Sequence, residues 1–386
     1  MTIGVPRETF PGESRVALVP NAVPGLVKAG LQVRIETGAG VAAGYSDDAY
    51  RAAGAQIDDR VVLFEKSDIV ACVRALGANL PGLGRDLAEY RFGTTLVGML
   101  DPLSDPEPVS AAASEGIRAF ALELLPRITR AQSMDVLSSQ SNLAGYKAVL
   151  LAAAEVPKVM PMMTTAAGTI TPARVLIVGA GVAGLQAIAT ARRLGAVVSA
   201  YDIRPDTRQQ VESLGARFVD LGLEAEGAQD KSGYAKAMDE DFYRLQRKAL
   251  AKVCAENDIV ITTALVPGRK SPLLVTKEAV AGMKPGSIVV DLAAERGGNC
   301  EVTAADQVVE VGGVRVFGPT NLPATVPFHA SALYSKNMTT FLNLLVRNGE
   351  IQLDLEDEII RETLLTDGGK VVHPRLREML DLGERA

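Results

Sequence analysis

Residues 174–202 read RVLIVGAGVAGLQAIATARRLGAVVSAYD, and the order of features within them decides the fold. Arg174–Val178 is an apolar run of strand length. Gly179-Ala180-Gly181-Val182-Ala183-Gly184 supplies a G-x-G-x-x-G turn. Leu185–Arg193 continues with helical character, Gly195 ends it, and Val197–Tyr201 forms a second strand closed by Asp202. In such a unit Gly179 makes the tight turn, Gly181 lets the backbone approach a pyrophosphate, and Gly184 brings helix and strand close together. The pyrophosphate then meets unpaired N–H groups at the positive end of the helix. Asp202 is placed to accept hydrogen bonds from the adenosine ribose. A carboxylate there repels a 2′-phosphate and favours NAD(H) over NADP(H), whereas Arg204 is the one feature that would tolerate the phosphate. A glycine-rich turn in an ordinary α/β domain is the alternative. With strand, helix, strand and acidic residue all in order, the reading is a dinucleotide-binding βαβ unit.

Working outward, further strands are expected at Arg217–Val219, Ile259–Thr262, Ser287–Asp291 and Val314–Phe317, with spacing that suits intervening helices. A separate alternating series precedes the motif, with strands at Thr2–Pro6, Gln32–Glu36, Ile69–Val73, Thr95–Met99 and Ile117–Ala121. Repeated strand–helix alternation implies parallel sheets covered on both faces. Met134–Glu155 reads as a long bridging helix and Val326–Val346 as a second, returning to the first domain. The expected fold is therefore α/β: two Rossmann-like doubly wound domains with mainly parallel sheets, joined by long helices. One comprises residues 1–138 and 328–386, and the other, carrying the fingerprint, residues 139–327. Residues 222–243 are charged, glycine-containing and poor in branched apolar side chains. They read either as a solvated excursion or as a mobile loop over a ligand, with Tyr234 as its aromatic anchor.

Composition narrows the function classes. The 386 residues suit two or three domains. A net charge of −6 gives no basic face for a nucleic acid. Cys72, Cys254 and Cys300 lie far apart, without disulfide or metal-ligand spacing, and only His329 and His373 accompany them, so no metal centre is expected. The opening MTIGVPRETFPGESR lacks the apolar run of a signal peptide, and no segment has the length and apolarity of a membrane span. The expected compartment is cytoplasmic.

Three more segments carry candidate site residues. Pro126–Asp135 is dense in polar groups, and Arg127, Gln132, Asp135 and Ser138 are candidates to converge on a ligand. Gln132 offers a donor and an acceptor but cannot act as a base. The alternative is a helix cap plus a surface ion pair. Val290–Asn299 and Gly318–Pro323 follow strand ends, where ligands bind in open sheets, and Asn321 is a candidate partner for a nicotinamide. His329 is expected to be packed, His373 to lie on the surface, and Cys254 and Cys300 have no activating partner.

Arg127–Tyr146 (RITRAQSMDVLSSQSNLAGY), Val178–Ala191, Ser232–Met238 (SGYAKAM), Ile261–Pro267 (ITTALVP), Met283–Ala293, Gly297–Cys300 and the opening GVPRETFPGESRVALVP together resemble the alanine dehydrogenase and nicotinamide nucleotide transhydrogenase superfamily. The nearer likeness is to the soluble NAD(H)-binding domain I of proton-translocating transhydrogenase, found in some bacteria as a separate alpha-1 subunit. The resemblance implies that Arg127, Gln132, Asp135 and Ser138 contact the nicotinamide and its ribose, with Arg127, Gln132 and Asp135 at the catalytic position. It implies nucleotide contacts from Gly179, Gly181, Val182, Gly184, Asp202, Ile203, Arg204, Tyr234, Ala264, Leu265 and Asn321. It further implies a homodimer, peripheral at the inner membrane through a small membrane alpha-2 subunit and a beta subunit that holds NADP(H). Alanine dehydrogenase differs where it matters. That family uses a first-domain lysine and histidine, whereas here Arg74 follows Ile69–Val73, Leu96–Pro102 has no histidine, and Glu295 stands near the position of an aspartate. Amino-acid oxidation needs a proton moved on and off the amine, while hydride exchange between two nicotinamides does not. An alanine dehydrogenase-like enzyme and a non-enzymatic NAD sensor or scaffold remain the alternatives.

Overall fold

A computed structural model describes residues 1–223, 240–265, 268 and 270–381. The chain divides into two units, Met1–Gln140 with Pro323–Ala386, and Ser141–Leu322. The sequence placed the divisions after residues 138 and 327. They fall instead inside the helix Val136–Glu155 and within the short turn Leu322–Thr325.

The first unit begins with β1 (Thr2–Val5), β2 (Gln32–Glu36), β3 (Gln56–Asp58), β4 (Ile69–Arg74), β5 (Thr95–Met99) and β6 (Arg118–Ala121). They lie side by side in the order β6-β5-β4-β1-β2-β3, and every pair among them is parallel. This is a doubly wound sheet whose strand order reverses between β1 and β4. The central strand β4 is buried at Ile69, Val70, Ala71, Cys72 and Val73, as a strand covered on both faces requires, which is why it reads as a continuous apolar run rather than an alternation.

The second unit holds a hairpin, β7 (Met163–Thr165) with β8 (Gly168–Ile170), and then β9 (Arg174–Val178), β10 (Val197–Tyr201), β11 (Arg217–Phe218), β12 (Ile259–Thr262), β13 (Ile288–Asp291), β14 (Val308–Val311) and β15 (Val314–Phe317). The large sheet runs β11-β10-β9-β12-β13-β15-β14. All its pairs are parallel except β14 with β15. Here the reversal lies between β9 and β12, beside the glycine turn. The helix Val182–Arg193 buries Gly184, Ala187, Ile188, Thr190 and Ala191, an i, i+3, i+4, i+7 stripe that makes one face of a helix apolar or small.

The chain then returns to the first unit. The helix Pro327–Leu345 buries Tyr334, Met338, Phe341, Leu342 and Leu345. A hairpin of β16 (Val346–Arg347) and β17 (Glu350–Ile351) follows, and β18 (Leu364–Asp367) and β19 (Lys370–Val371) extend the first sheet antiparallel to β6. Residues 224–239, including Tyr234, lie outside the described residues. Of the expected loop 222–243, residues 240–243 open the helix Glu240–Ala255, because Glu240 and Asp241 suit the positive end of a helix. The two histidines are reversed from expectation. His329 is exposed beside Phe328 at the start of its helix, before that helix enters the core. His373 is buried, and burial lowers its pKa.

Candidate functional site

In the second unit the glycine turn is held on three sides. Gly179 has φ +101, in the region that favours glycine, and its N–H donates to Tyr201 O at 2.8 Å. A Cβ on Gly184 would stand 1.9 Å from Gly179 O, so the helix can approach the turn only without one. A Cβ on Gly181 would meet no protein atom within 4 Å. Gly181 is also the N-cap of the helix Val182–Arg193, and no side chain caps that end. The helix therefore presents first-turn N–H groups with no intrahelical partner beside an open backbone, which is the donor set an anionic pyrophosphate requires. These residues fit a dinucleotide.

Asp202, at the end of β10, is only 8% exposed. Its Oδ2 accepts from Ala180 N at 2.7 Å and from Arg204 Nη2 at 2.8 Å. Its Oδ1 accepts from Arg204 N and Nε, both at 2.9 Å. The carboxylate thus ties the glycine turn to the next loop through Ile203. A carboxylate offers about four lone-pair positions, so a ribose hydroxyl must share them with Arg204. The Asp202–Arg204 pair carries little net charge, which weakens the purely repulsive case against a 2′-phosphate.

The facing loop, after β12, is organised by two residues that the sequence reading did not single out for this task. Asp291, fully buried, accepts five hydrogen bonds: from Thr262 Oγ1, Ala293 N, Asn299 N, Cys300 N and Thr303 Oγ1, at 2.7–3.0 Å. Asn299, also fully buried, passes this order on. Its Oδ1 accepts from Ala264 N at 2.9 Å, and its Nδ2 donates to Ala264 O and Pro272 O, both at 2.9 Å. Ala264 and the exposed Leu265 are thereby set opposite the glycine turn, where Thr263 N donates to Val178 O and Thr263 Oγ1 to Gly179 O. A buried charge is tolerated only when so fully bonded. The available signal was an aspartate ending an apolar strand with two glycines close behind: Gly297 and Gly298 take φ +89 and +81 to wrap the chain around it. Asn321 follows β15 with φ +47, a conformation that asparagine adopts more readily than most residues. Cys254 and Cys300 are buried, and burial pushes their thiols up to about 12 and about 11, away from thiolate reactivity.

In the first unit, residues 127–138 form an anchored segment. Ala131 and Met134 are buried, and Arg130 pairs with Asp357 through Nη1–Oδ2 at 2.7 Å and Nη2–Oδ1 at 2.5 Å. Asp135 caps the long helix, accepting from Ser138 N at 2.8 Å and Ser138 Oγ at 2.6 Å. The helix-cap alternative thus describes Asp135 and Ser138, with lone pairs left on the carboxylate. Arg127 and Gln132 are exposed, and the Gln132 amide has no side-chain partner among the described residues.

The same unit's reversal point, at the carboxyl ends of β1 and β4, is closed by its own side chains. Glu8 accepts from Val73 N and Arg74 N at 2.7 and 3.0 Å, and burial raises its carboxyl to about 8. Arg15 donates to both Glu13 oxygens and to Gln140 Oε1. Arg74 lies 4.0 Å over the Phe10 ring and donates from Nε to Ala78 O. The sequence reading passed over Glu8, Glu13, Arg15 and Gln140, whose association spans the chain and leaves no local spacing. Among the described residues no group of acidic, histidine or cysteine side chains could hold a metal ion.

Comparison with known proteins agrees with this architecture. Residues 4–144 match the family model described as the alanine dehydrogenase/PNT N-terminal domain, and residues 148–374 its C-terminal domain. The first of the two alpha-subunit chains of the NAD(P) transhydrogenase of Rhodospirillum rubrum is 47% identical over 380 residues, 97% of this chain and 99% of that protein. The crystal structure of transhydrogenase from Sinorhizobium meliloti superimposes with a TM-score of 0.86 at 46% identity, covering 96% of this chain and all of that one. The alanine dehydrogenase of Bacillus subtilis is more distant, 30% identical over 392 residues, 99% of this chain and 95% of that enzyme. Both family domains are present in order and together span nearly the whole chain, so this protein belongs to the alanine dehydrogenase/PNT family.

Proposed function

We propose that this chain is the NAD(H)-binding subunit of a proton-translocating NAD(P)+ transhydrogenase. The observation that carries the reading is full-length likeness, at 47% identity, to a transhydrogenase alpha-subunit chain. In this reading NADH bound here supplies the hydride that passes directly to NADP+ on a partner subunit, with Re/Si stereospecificity and little turnover by the isolated chain. The chain's own task is to bind, orient and exclude water. The uncapped helix end and Gly181 hold the pyrophosphate. Asp202, Ile203 and Arg204 meet the adenosine ribose, with NAD(H) preferred. Gly179, Val182, Gly184, Ala264 and Leu265 shape the walls of the site, and Tyr234 and Asn321 complete the contacts. Gln132, with Arg127, Asp135 and Ser138, directs the nicotinamide. The assembly is a homodimer joined to a beta subunit that binds NADP(H) and to a small membrane alpha-2 subunit, on the cytoplasmic side of the inner membrane. In support, no helix among the described residues is long and apolar enough to cross a membrane, so proton movement falls to partner chains. Arg74, folded against Phe10, and the absence of a histidine before His329 weigh against amino-acid oxidation.

Hydride transfer from NADH to an oxidised NADP analogue, followed with and without an NADP(H)-binding partner domain, tests the proposal. Transfer should depend on the partner. Reduction of NAD+ by L-alanine with the isolated chain would overturn the reading, and binding without turnover in either assay would favour the sensor. Gln132→Asn should slow transfer by about a hundred-fold while changing NADH affinity by only a few-fold. Equal losses in both would remove its orienting role.

A further inference from the structure

We propose that Asn337 is a positioning residue for Gln132, acting through the backbone of residues 130–139 and without touching a nucleotide. The inference rests on the transhydrogenase reading for its consequence and on geometry alone for its mechanism. Asn337 lies on the helix Pro327–Leu345, 8% exposed, among Tyr334, Met338 and Phe341, all fully buried. An amide on such a face is costly unless it is bonded, and an apolar side chain of similar size would satisfy packing alone. Asn337 uses both ends of its amide. Nδ2 donates to Ser133 O at 2.8 Å, on the residue directly after Gln132, and Oδ1 accepts from Ser139 Oγ at 2.8 Å, in the first turn of the long helix. Ser133 and Ser139 are thus clamped to one side chain across the turn that contains Asp135.

On the other side of Gln132, Arg130 is held in a two-bond pair by Asp357, whose carboxyl the guanidinium keeps below the usual range. Ala131 and Met134 are sunk in the core. Every neighbour of Gln132 from Arg130 to Asp135 is therefore tied down, and the Gln132 side chain alone is left exposed and unpartnered among the described residues. A side chain presented from a frame clamped on both sides is pre-oriented for a ligand, and the frame rather than the side chain sets its direction. All these residues belong to one unit, so the device is complete within it.

Asn337→Leu keeps apolar volume and removes both bonds. In the full chain assayed with an NADP(H)-binding partner, it should slow hydride transfer at saturating NADH by about ten-fold and leave the NADH dissociation constant within about two-fold. Amide hydrogen exchange across residues 131–139 should accelerate. Placed in the Gln132→Asn background, the same substitution should cost about two-fold or less, because its effect runs through Gln132. An equal loss in both backgrounds, unchanged exchange, or a rise in the dissociation constant matching the loss in rate would each overturn the proposal. If Asn337→Leu fails to fold, Asp357→Asn opens the opposite clamp and is read by the same three measurements. A wild-type chain that transfers no hydride with its partner refutes the functional reading instead, and the exchange measurement still decides whether Asn337 holds the loop.

Discussion

At the scale of single residues, Glu123 shows how a carboxyl can be built into a fold as its neutral form. It follows β6, and its Oε1 accepts from the N–H groups of both Leu100 and Asp101. Its Oε2 is buried with no partner. Burial raises the carboxyl from 4.5 to about 7, against the opposing pull of the backbone donors. The folded value lies above the unfolded one, so the stabilisation is fully present below about pH 4.5 and is lost as pH rises through about 7. The unfolding midpoint of the wild-type chain should therefore fall between about pH 5.5 and about pH 8. Glu123→Gln preserves Oε1 and replaces the unpartnered oxygen with an uncharged amide nitrogen. It should remove part of that fall, by at most about 3 kcal/mol. Glu8, raised to about 8 for the same reason, keeps the remainder. Identical pH slopes for the two proteins in calorimetry would show that Glu123 ionises at no cost.

At the scale of elements, the three fingerprint glycines perform different work, and substitution separates them. Gly184 seats the helix Val182–Arg193 on the turn: an added Cβ would stand 1.9 Å from Gly179 O. Gly145 plays a similar part on the neighbouring long helix, where a Cβ would stand 2.0 Å from Ala183 O. Gly184→Ala should push the helix off the sheet, lower stability by about 1–3 kcal/mol, and weaken NADH binding by ten-fold or more. Gly181 has an ordinary φ of −78 and open space where its Cβ would stand. Gly181→Ala should leave the unfolding midpoint unchanged, to within about 0.5 kcal/mol, yet weaken NADH binding, because the methyl group enters the face that the pyrophosphate approaches. Thermal unfolding and NADH titration of the two variants provide the comparison. Gly184→Ala that binds as wild type does, or Gly181→Ala that loses stability as Gly184→Ala does, would contradict this division of roles.

At the scale of the molecule, the first unit depends on chain that arrives after the second is complete. β18 and β19 continue its sheet past β6, and Leu364, Leu365, Val371 and Leu376 are almost wholly buried there. Truncation after Thr363 exposes the β6 edge and removes those side chains. Each is worth about 1.5–3 kcal/mol when buried, more in sum than a domain's usual margin. The truncated chain should lose the cooperative unfolding of the first unit and retain a separate transition for the second, together with NADH-dependent stabilisation of that transition. A single unaltered transition in calorimetry would show that the C-terminal strands are dispensable.

What the amino-acid order determined by itself was local. Arg174–Asp202 dictated a strand, a turn and a helix because its signals are short-range: an apolar run, glycines at fixed offsets, a carboxylate at a strand end. The apolar runs at Ile69–Val73 and Ile259–Thr262 were legible as central strands for the same reason. Tertiary structure alone decided the rest. Asp202 reads as a ribose acceptor, yet only the folded loop turns the Arg204 guanidinium onto it. Asp291 reads as a strand end, yet its five donors come from β12, its own loop and Thr303. Asn337 is one polar residue in a helix until folding sets it against Ser133 and Ser139, some two hundred positions away in the chain. Such partners meet only when helices and strands pack, and no spacing in the sequence encodes a contact whose two halves are separated by a whole domain.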